Sequence, residues 1–213
     1  LSEFSRETFK ETDAYPQIIH VVNLDSRPNN NKIELDHTHS TQFVFTARHS
    51  FLKGSHIVLK FWSDFDIPFK LNIIGEFDDD LTSWIMSSNL NLKNVAFHGY
   101  QDVKRFYSGR QFIGISHSLT EGYPRAVQEY LDFNFPVITT KVATCDKIQD
   151  NVHGIIVDYG DVKGLYNAVM SVQEPDSFYM MLSNIQKLNN FVGRNTYASS
   201  CFKILSQKNE KAQ

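Results

Sequence analysis

The chain has 213 residues, of which 41% are hydrophobic and 21% are charged, and its formal net charge is -3. These totals are typical of a globular protein with one large domain and a substantial buried core. They offer no basic surface for nucleic acid, and no apolar run approaches the roughly 18 residues that a membrane span needs.

The cysteines and the N-terminus bear on the cellular setting. Cys145 and Cys201 lie far apart and outside any CxxC pattern, which favours reduced thiols. The N-terminus has neither an initiator Met nor the apolar core of a signal peptide. We therefore expect a cytoplasmic protein that is a fragment of a longer chain. Any attachment to the inner face of the membrane would come from the missing part.

Residues 1–40 precede the regular part of the sequence. A polar, helix-compatible stretch is followed by a short β-rich run from Ile18 to Val22. Residues 26–40 then have the low hydrophobicity of a linker or an exposed loop. We expect residues 1–40 to form a hinge and linker segment.

From Gln42 onward, short apolar runs alternate with amphipathic ones. The predicted strands are FVFTA, FKLNIIG, NVAFHG, FIGIS, FPVITT and HGIIVDYG, and the predicted helices are SHIVLKFWSDF, DDDLTSWIMSSNL, QDVKRFYSG, PRAVQEYLDFN and DVKGLYNAVMSV. This alternation is typical of a parallel sheet covered on both sides. The sequence therefore predicts an α/β fold, a Rossmann-like doubly wound parallel sheet of about six strands over residues 41–173. Two C-terminal helices over residues 174–213, broken near Val192-Gly193, would pack on it.

The turn after the first predicted strand carries two cations. Ligands of such sheets bind outside the carboxyl ends of the strands, where helix N-termini present free amides to anions. Arg48 and Lys53 stand five residues apart there and are followed by Gly54. Two cations and a glycine that allows close backbone approach suit a pyrophosphate. Two solvated basic residues in a glycine turn would produce the same pattern.

The turn after the fourth predicted strand, SHSLTEGYPRAVQE, offers backbone donors. Pro124 stands where the first residue of a helix is expected. The amides around Gly122 and Tyr123 would then be unpaired donors at a helix start, suited to phosphate or sugar oxygens.

The same turn contains two carboxylates. Glu121 and Glu129 are eight residues apart, at most about 12 Å along a helix, which is the scale of the sugar-to-ribose separation across a diphosphate. Carboxylates accept hydrogen bonds from vicinal hydroxyls. Alternatively, Glu121 is a helix cap and Glu129 is a surface residue paired with Arg125.

In order and spacing, these motifs resemble a known family. The Glu121-to-Glu129 segment resembles the Glu-x7-Glu signature of retaining glycosyltransferases of the GT-B fold, particularly glycosyltransferase family 4. Further matches to that family lie in its order over residues 18–172: IIHVVNLD, Arg48-x4-Lys53-Gly54, IIGE, VAFHG, SLTEG, PVI and HGIIVDYGD. The first of these resembles the hinge strand that opens the family's C-terminal domain.

The resemblance implies a role for each matching residue. In catalysis, Arg48 and Lys53 would hold the donor's diphosphate and stabilise the charge of the leaving group, and Glu121 would contact hydroxyls of the donor sugar. The remaining donor contacts would be the turn amides and the carboxylate that binds the ribose hydroxyls: Gly122, Tyr123 and Glu129.

The resemblance also implies an activity. The chain would be the C-terminal, donor-binding domain of a retaining hexosyltransferase that uses a nucleoside diphosphate sugar, with no metal and no further cofactor. The acceptor, a polysaccharide, a lipid-linked glycan or a protein glycan, would bind an N-terminal domain that is missing here. The fragment alone is therefore expected to be inactive.

The sequence departs from the family at several positions. Ala143-Thr144 stands where the family commonly has a Gly-Gly phosphate loop, His117 replaces a frequent Pro, and Asn134 replaces a usual Gly. The first change gives weight to one alternative, a non-catalytic partner subunit of a glycosyltransferase. A nucleotide-sugar epimerase on the same scaffold is a second alternative.

Other polar and aromatic side chains are expected to serve structure. Asp78-Asp79-Asp80 contains an Asp-x-Asp pattern but opens a predicted helix, where acidic residues cap, so we expect no metal site. We expect His49 to be a surface loop residue. Three aromatic residues are expected to pack in the helix after the third strand: Tyr100, Phe106 and Tyr107.

Overall fold

The computed structural model describes residues 42–144 and 147–192. Strands and helices alternate along the chain in the following order: β1 (Gln42–Thr46), α1 (Ser55–Asp64), β2 (Lys70–Ile74), α2 (Asp79–Ser87), β3 (Val95–Phe97), α3 (Val103–Tyr107), β4 (Ile113–Ser116), α4 (Arg125–Asp132), β5 (Val137–Thr140), a 3₁₀ turn (Lys141–Ala143), β6 (Gly154–Val157), α5 (Val162–Val172) and α6 (Pro175–Val192).

The six strands form one sheet in the order β3-β2-β1-β4-β5-β6, and every neighbouring pair is parallel. β1 lies in the middle, where Phe43 is paired with Leu71 of β2 on one side and with Ile113 of β4 on the other. The predicted doubly wound parallel sheet is therefore confirmed. Its strand order reverses between β1 and β4, which is the switch point of the topology.

β1 shows how the two faces of the sheet are covered. Its side chains alternate in direction, as in any strand. Phe43 and Phe45 belong to a buried cluster with residues of α1, α5 and α6, whereas Val44 belongs to a second cluster with residues of α3 and α4. Because both faces are covered, the three consecutive buried positions Phe43, Val44 and Phe45 are all apolar, which explains the apolar run in the sequence.

The acidic triplet at the start of α2 caps the helix. Asp78 accepts a hydrogen bond from the backbone N–H of Leu81 at 2.8 Å, and Asp79 and Asp80 occupy the first turn. Carboxylates there satisfy free amides and complement the helix dipole. The capping interpretation of the triplet is confirmed.

Two sequence predictions concern residues outside the described ranges. They are the hinge and linker over residues 1–40 and the second C-terminal helix beyond Val192. The described C-terminal helix, α6, packs on the sheet, because its Phe178, Met181 and Leu182 are buried in the core. Within residues 42–144 and 147–192, no helix is long and apolar enough to cross a membrane.

Candidate functional site

A cavity of about 670 Å³ opens at the carboxyl edge of the sheet, beside the switch point. The chain segments that follow β1, β2 and β3 form its walls together with the first half of α4. Its lining residues are Thr46, Ala47, Arg48, Ile74, Gly75, Glu76, Tyr100, Gln101, Asp102, Val103, Lys104, Arg125, Ala126 and Glu129. Two residues that the sequence singled out, Arg48 and Glu129, thus line one cavity.

Glu129 is half-buried in the wall of this cavity. Burial raises the pKa of its carboxyl group, and the positive charges of Arg125 and Lys104 oppose that rise. Within the described residues, its carboxylate has neither a hydrogen bond nor an ion pair, so the alternative interpretation, a pairing with Arg125, is wrong. A carboxylate that is partly removed from water and lacks a partner is a ready acceptor for ligand hydroxyl groups.

Lys53 and Glu121 lie in the two neighbouring turns and contact each other directly. The Lys53 Nζ is 2.6 Å from Glu121 Oε1, which also accepts a hydrogen bond from the Ser118 hydroxyl at 2.8 Å. The Glu121 side chain is 11% exposed and that of Lys53 is 31% exposed. The pair is fixed in position while part of each side chain remains accessible.

The alternative role of Glu121 as a helix cap is wrong. α4 begins after Pro124, and the Glu121 carboxylate contacts Lys53 and Ser118 instead of the first amides of the helix. Among the described residues other than Gly122 and its two chain neighbours, no atom lies within 4 Å of the position that a Cβ atom of Gly122 would take.

The turns after β1 and β4 approach each other closely at Gly54. Its φ of +69° lies in the left-handed region, and a Cβ atom there would lie 2.0 Å from the carbonyl oxygen of His117. A further backbone hydrogen bond, from the N–H of Leu119 to the carbonyl of Leu52 at 2.9 Å, joins the same turns. Glycine is therefore required for the contact that brings Lys53 to Glu121.

His117, the residue in place of the family's proline, joins a third turn to this arrangement. Its Nε2 accepts a hydrogen bond from the N–H of Gly160 at 3.0 Å, and its ring stacks on Tyr159. Burial lowers the pKa of His117 to about 4. The imidazole is therefore neutral at physiological pH and carries its proton on Nδ1.

The expectation that His49 lies at the surface is wrong. Its side chain is fully buried against the rings of Phe45 and Phe77. Its two ring nitrogens contact the Ser55 hydroxyl and the Ile74 carbonyl, each at 3.0 Å, and burial lowers its pKa to about 4. His49 thus fixes the conformation of the turn beside Arg48 and does not face a ligand.

The prediction for the aromatic residues after β3 holds for two of the three. Tyr107 is buried and Phe106 packs against the same core, but Tyr100 is 80% exposed and lines the cavity. The reason is that α3 begins only at Val103, so Tyr100 belongs to the turn at the end of the strand.

Several side chains of the cavity were not predicted as ligand contacts from the sequence, among them Tyr100, Lys104 and Arg125. Each follows the carboxyl end of a strand or lies in the first turn of the helix after it. Their signal in the sequence is the same as that of Arg48, a position at the carboxyl end of a parallel strand.

An all-parallel doubly wound sheet with cations and carboxylates at its switch point defines a Rossmann-like domain suited to a phosphorylated ligand. Residues 40–174 match the family described as "Glycosyl transferases group 1", and the match covers more than half of the chain. The chain belongs to this family of glycosyltransferases. No curated protein matches it.

Solved glycosyltransferase structures have a similar fold. The structure of Anabaena HepE (Alr3699) in complex with UDP is 16% identical, with a TM-score of 0.79, over 98% of this chain and 62% of that chain. A glycosyltransferase from Rickettsia africae ESF-5 is 17% identical, with a TM-score of 0.74, over 98% and 62% of the two chains. The lipopolysaccharide outer core galactosyltransferase WaaB is 17% identical, with a TM-score of 0.72, over 97% and 60%. The chain thus spans less than two thirds of the length of each.

Proposed function

We propose that this chain is the donor-binding domain of a retaining glycosyltransferase of family 4 type that takes a uridine diphosphate sugar. The observation that carries the proposal is the half-buried carboxylate of Glu129, which has no partner among the described residues and shares a cavity with Arg48 at the switch point of the sheet. Similar structures were solved with UDP or UDP-glucose bound, which makes uridine the first base to test.

The donor would lie across the carboxyl ends of β1 and β4. Glu129 would accept hydrogen bonds from the two ribose hydroxyls, and Arg48 would bind the diphosphate as a bidentate donor. The base would then reach the wall formed by the turn after β3, where the exposed ring of Tyr100 offers a stacking surface. The sugar would extend in the opposite direction, towards Glu121.

Charge stabilisation is the chemistry that these residues would supply. When the bond between the sugar and the diphosphate breaks, negative charge develops on the diphosphate. Arg48, Lys53 and the backbone amides around Gly122 and Tyr123 would stabilise this charge without rearranging. Because these cations and amides neutralise the diphosphate, we propose a reaction without a metal ion.

The contact between Lys53 and Glu121 would serve this step. The Lys53 ammonium lies 2.6 Å from a carboxylate oxygen that also holds the Ser118 hydroxyl. Glu121 would therefore hold Lys53 at the position of the leaving phosphate, while its second oxygen accepts a hydroxyl of the donor sugar. Orienting the donor in this way lowers the entropic part of the barrier.

The acceptor belongs to the rest of the proposed enzyme. We propose that residues 41–173 form the donor domain, that residues 1–40 form the hinge to an N-terminal acceptor-binding domain, and that residues 174–213 pack as helices on the donor domain. The acceptor would be a polysaccharide, a lipid-linked glycan or a protein glycan in the cytoplasm. The isolated chain would bind the donor without transferring its sugar.

A non-catalytic partner subunit is the second candidate, and the segment after β5 favours it. The residues in place of the family's Gly-Gly pair include Ala143, which is buried at the end of a 3₁₀ turn. If this segment no longer presents amides to the donor, the full-length protein would bind nucleotide but show no turnover.

The experiment that tests the proposal is isothermal titration of the chain with UDP, GDP, ADP and their sugar conjugates. We expect UDP and a UDP-sugar to bind, and Glu129→Gln, which keeps the shape of the side chain and removes its charge, to weaken both. If the wild-type chain and Glu129→Gln bound UDP, GDP and ADP equally well, the proposed donor site would be contradicted. Activity assays on a full-length protein would separate the enzyme from the non-catalytic subunit.

A further inference from the structure

Gln128 is a buried polar residue inside α4, on a different face from Glu129. Its side chain is 5% exposed. The side-chain oxygen of Gln128 accepts hydrogen bonds from Lys147 Nζ at 2.8 Å and from the hydroxyl of Tyr123 at 3.3 Å, and its Nε2 donates to Asp132 Oδ1 at 2.9 Å. One amide group therefore joins three parts of the chain.

The partners of Gln128 fix the orientation of its amide. The Lys147 ammonium can only donate, so it requires an oxygen, and the Asp132 carboxylate requires a donor; the Tyr123 hydroxyl donates to the same oxygen as Lys147. A flipped amide would place its NH₂ against the ammonium group and its oxygen against the carboxylate. The polar contacts thus allow one arrangement only, and they hold the segments that contribute them in a defined relation.

One of the joined segments, the turn after β4, carries groups of the proposed donor site. Tyr123 belongs to the turn after β4, one residue from Gly122 and two from Glu121. Lys147 belongs to the segment after β5, where the sequence lacks the family's Gly-Gly pair. Ser118 gives a second link between the same segments, because its carbonyl accepts the Thr140 hydroxyl at 2.7 Å.

We propose that Gln128 is a positioning residue for the donor: it links Tyr123 to Lys147 and so holds the anion-binding turn in its binding conformation. Side-chain contacts thereby replace the support that a glycine loop gives through its backbone. The inference rests on the proposed donor site, but it makes a separate statement about the turn in the absence of ligand.

The test compares three variants. Gln128→Leu removes the amide at similar volume. The double variant Gln128→Glu with Asp132→Asn preserves all three hydrogen bonds and the net charge, because the new carboxylate accepts from Lys147, Tyr123 and the new amide. Asn189→Leu is the matched control, since it removes an amide whose Nδ2 donates to the carbonyl of Leu131, at the opposite end of α4, at 2.7 Å.

The first measurement is hydrogen exchange of the peptide over residues 119–126 without ligand, and the second is the affinity for UDP-sugar. Gln128→Leu should speed exchange in this peptide and weaken binding roughly ten-fold. The double variant should restore both, and Asn189→Leu should lower the melting temperature alone. If Gln128→Leu does not fold, Lys147→Met removes the same contact from its partner.

Three results would overturn the inference. They are unchanged hydrogen exchange of the peptide in Gln128→Leu, equally faster exchange of it in Asn189→Leu, and a folded double variant in which exchange remains as fast as in Gln128→Leu. These outcomes do not depend on nucleotide binding, so they are distinct from a failure of the proposed function. That failure would appear as a wild-type chain that binds no UDP-sugar.

Discussion

Glu121 and Glu129 are two carboxylates of one turn and helix, yet their surroundings differ. The first is held by Lys53 and Ser118, whereas the second faces a cavity without a partner in the described part of the chain. A paired carboxylate orients other groups, and an unpaired one accepts new hydrogen bonds. This difference supports the separate roles proposed for the two residues, which titration with UDP and UDP-sugar can distinguish.

Replacing each carboxylate separates these roles. Glu129→Ala should weaken UDP and UDP-sugar by similar factors, roughly ten-fold or more, because both ligands carry the ribose. Glu121→Ala should weaken the UDP-sugar much more than bare UDP. Calorimetric titration of both ligands into both variants makes the comparison, after a melting curve has shown that each variant is folded. Equal losses for both ligands in both variants would contradict the assignment.

His49 predicts how stability depends on pH. Its pKa falls from 6.5 to about 4 on folding, so the unfolded chain binds a proton in this interval and the folded chain does not. The contribution of His49 is therefore fully present above pH 6.5 and is lost as the pH falls towards 4. His49→Gln should make urea-derived stability fall less steeply over this interval, by up to about 1.4 kcal/mol per pH unit. An unchanged slope would mean that His49 is not buried as a neutral side chain.

At the scale of elements, the site depends on contact between the turns that follow β1 and β4. Gly54 and Gly109 share a φ of +69°, but a Cβ atom would clash with His117 only at Gly54 and would meet nothing within 4 Å at Gly109. Comparing a substitution at Gly54 with the same substitution at Gly109 therefore distinguishes the cost of backbone strain from the cost of the steric clash.

Alanine at these two positions tests the contact. Gly109→Ala should cost about 1–2 kcal/mol, the strain of a left-handed conformation. Gly54→Ala should cost clearly more, and it should also weaken UDP-sugar binding because Lys53 moves away from Glu121. Chemical denaturation and titration measure the two effects. Similar costs for both variants, with binding retained, would show that the turns can separate without affecting the site.

The order of the elements could be predicted from the sequence because the central strands are apolar on both faces and the helices between them are amphipathic. Asp78 could be predicted as a cap because capping is a local interaction. The contact between Lys53 and Glu121 could not, because it joins residues 68 positions apart through the packing of two turns. The burial of His49 and the exposure of Tyr100 depend on where the neighbouring helices begin, which apolar periodicity does not define.

At the scale of the whole molecule, the chain covers 62% of the HepE structure, which has a similar fold. A donor domain alone lacks the groups that would bind and orient an acceptor. The isolated chain should therefore bind UDP-sugar and transfer no sugar to glycan acceptors. A radiolabelled transfer assay with the chain alone makes the measurement, and robust transfer would show that the proposed domain division is wrong.

The most direct test of the central claim is a crystal structure of the chain with UDP. We expect the ribose hydroxyls within hydrogen-bonding distance of the Glu129 carboxylate, the diphosphate against Arg48, and the uracil ring against Tyr100. A competing cavity of about 350 Å³ lies between β6 and α5 and is lined by Asp158 and Asp161. UDP bound there, or bound at the carboxyl edge without contact to Glu129 and Arg48, would contradict the account.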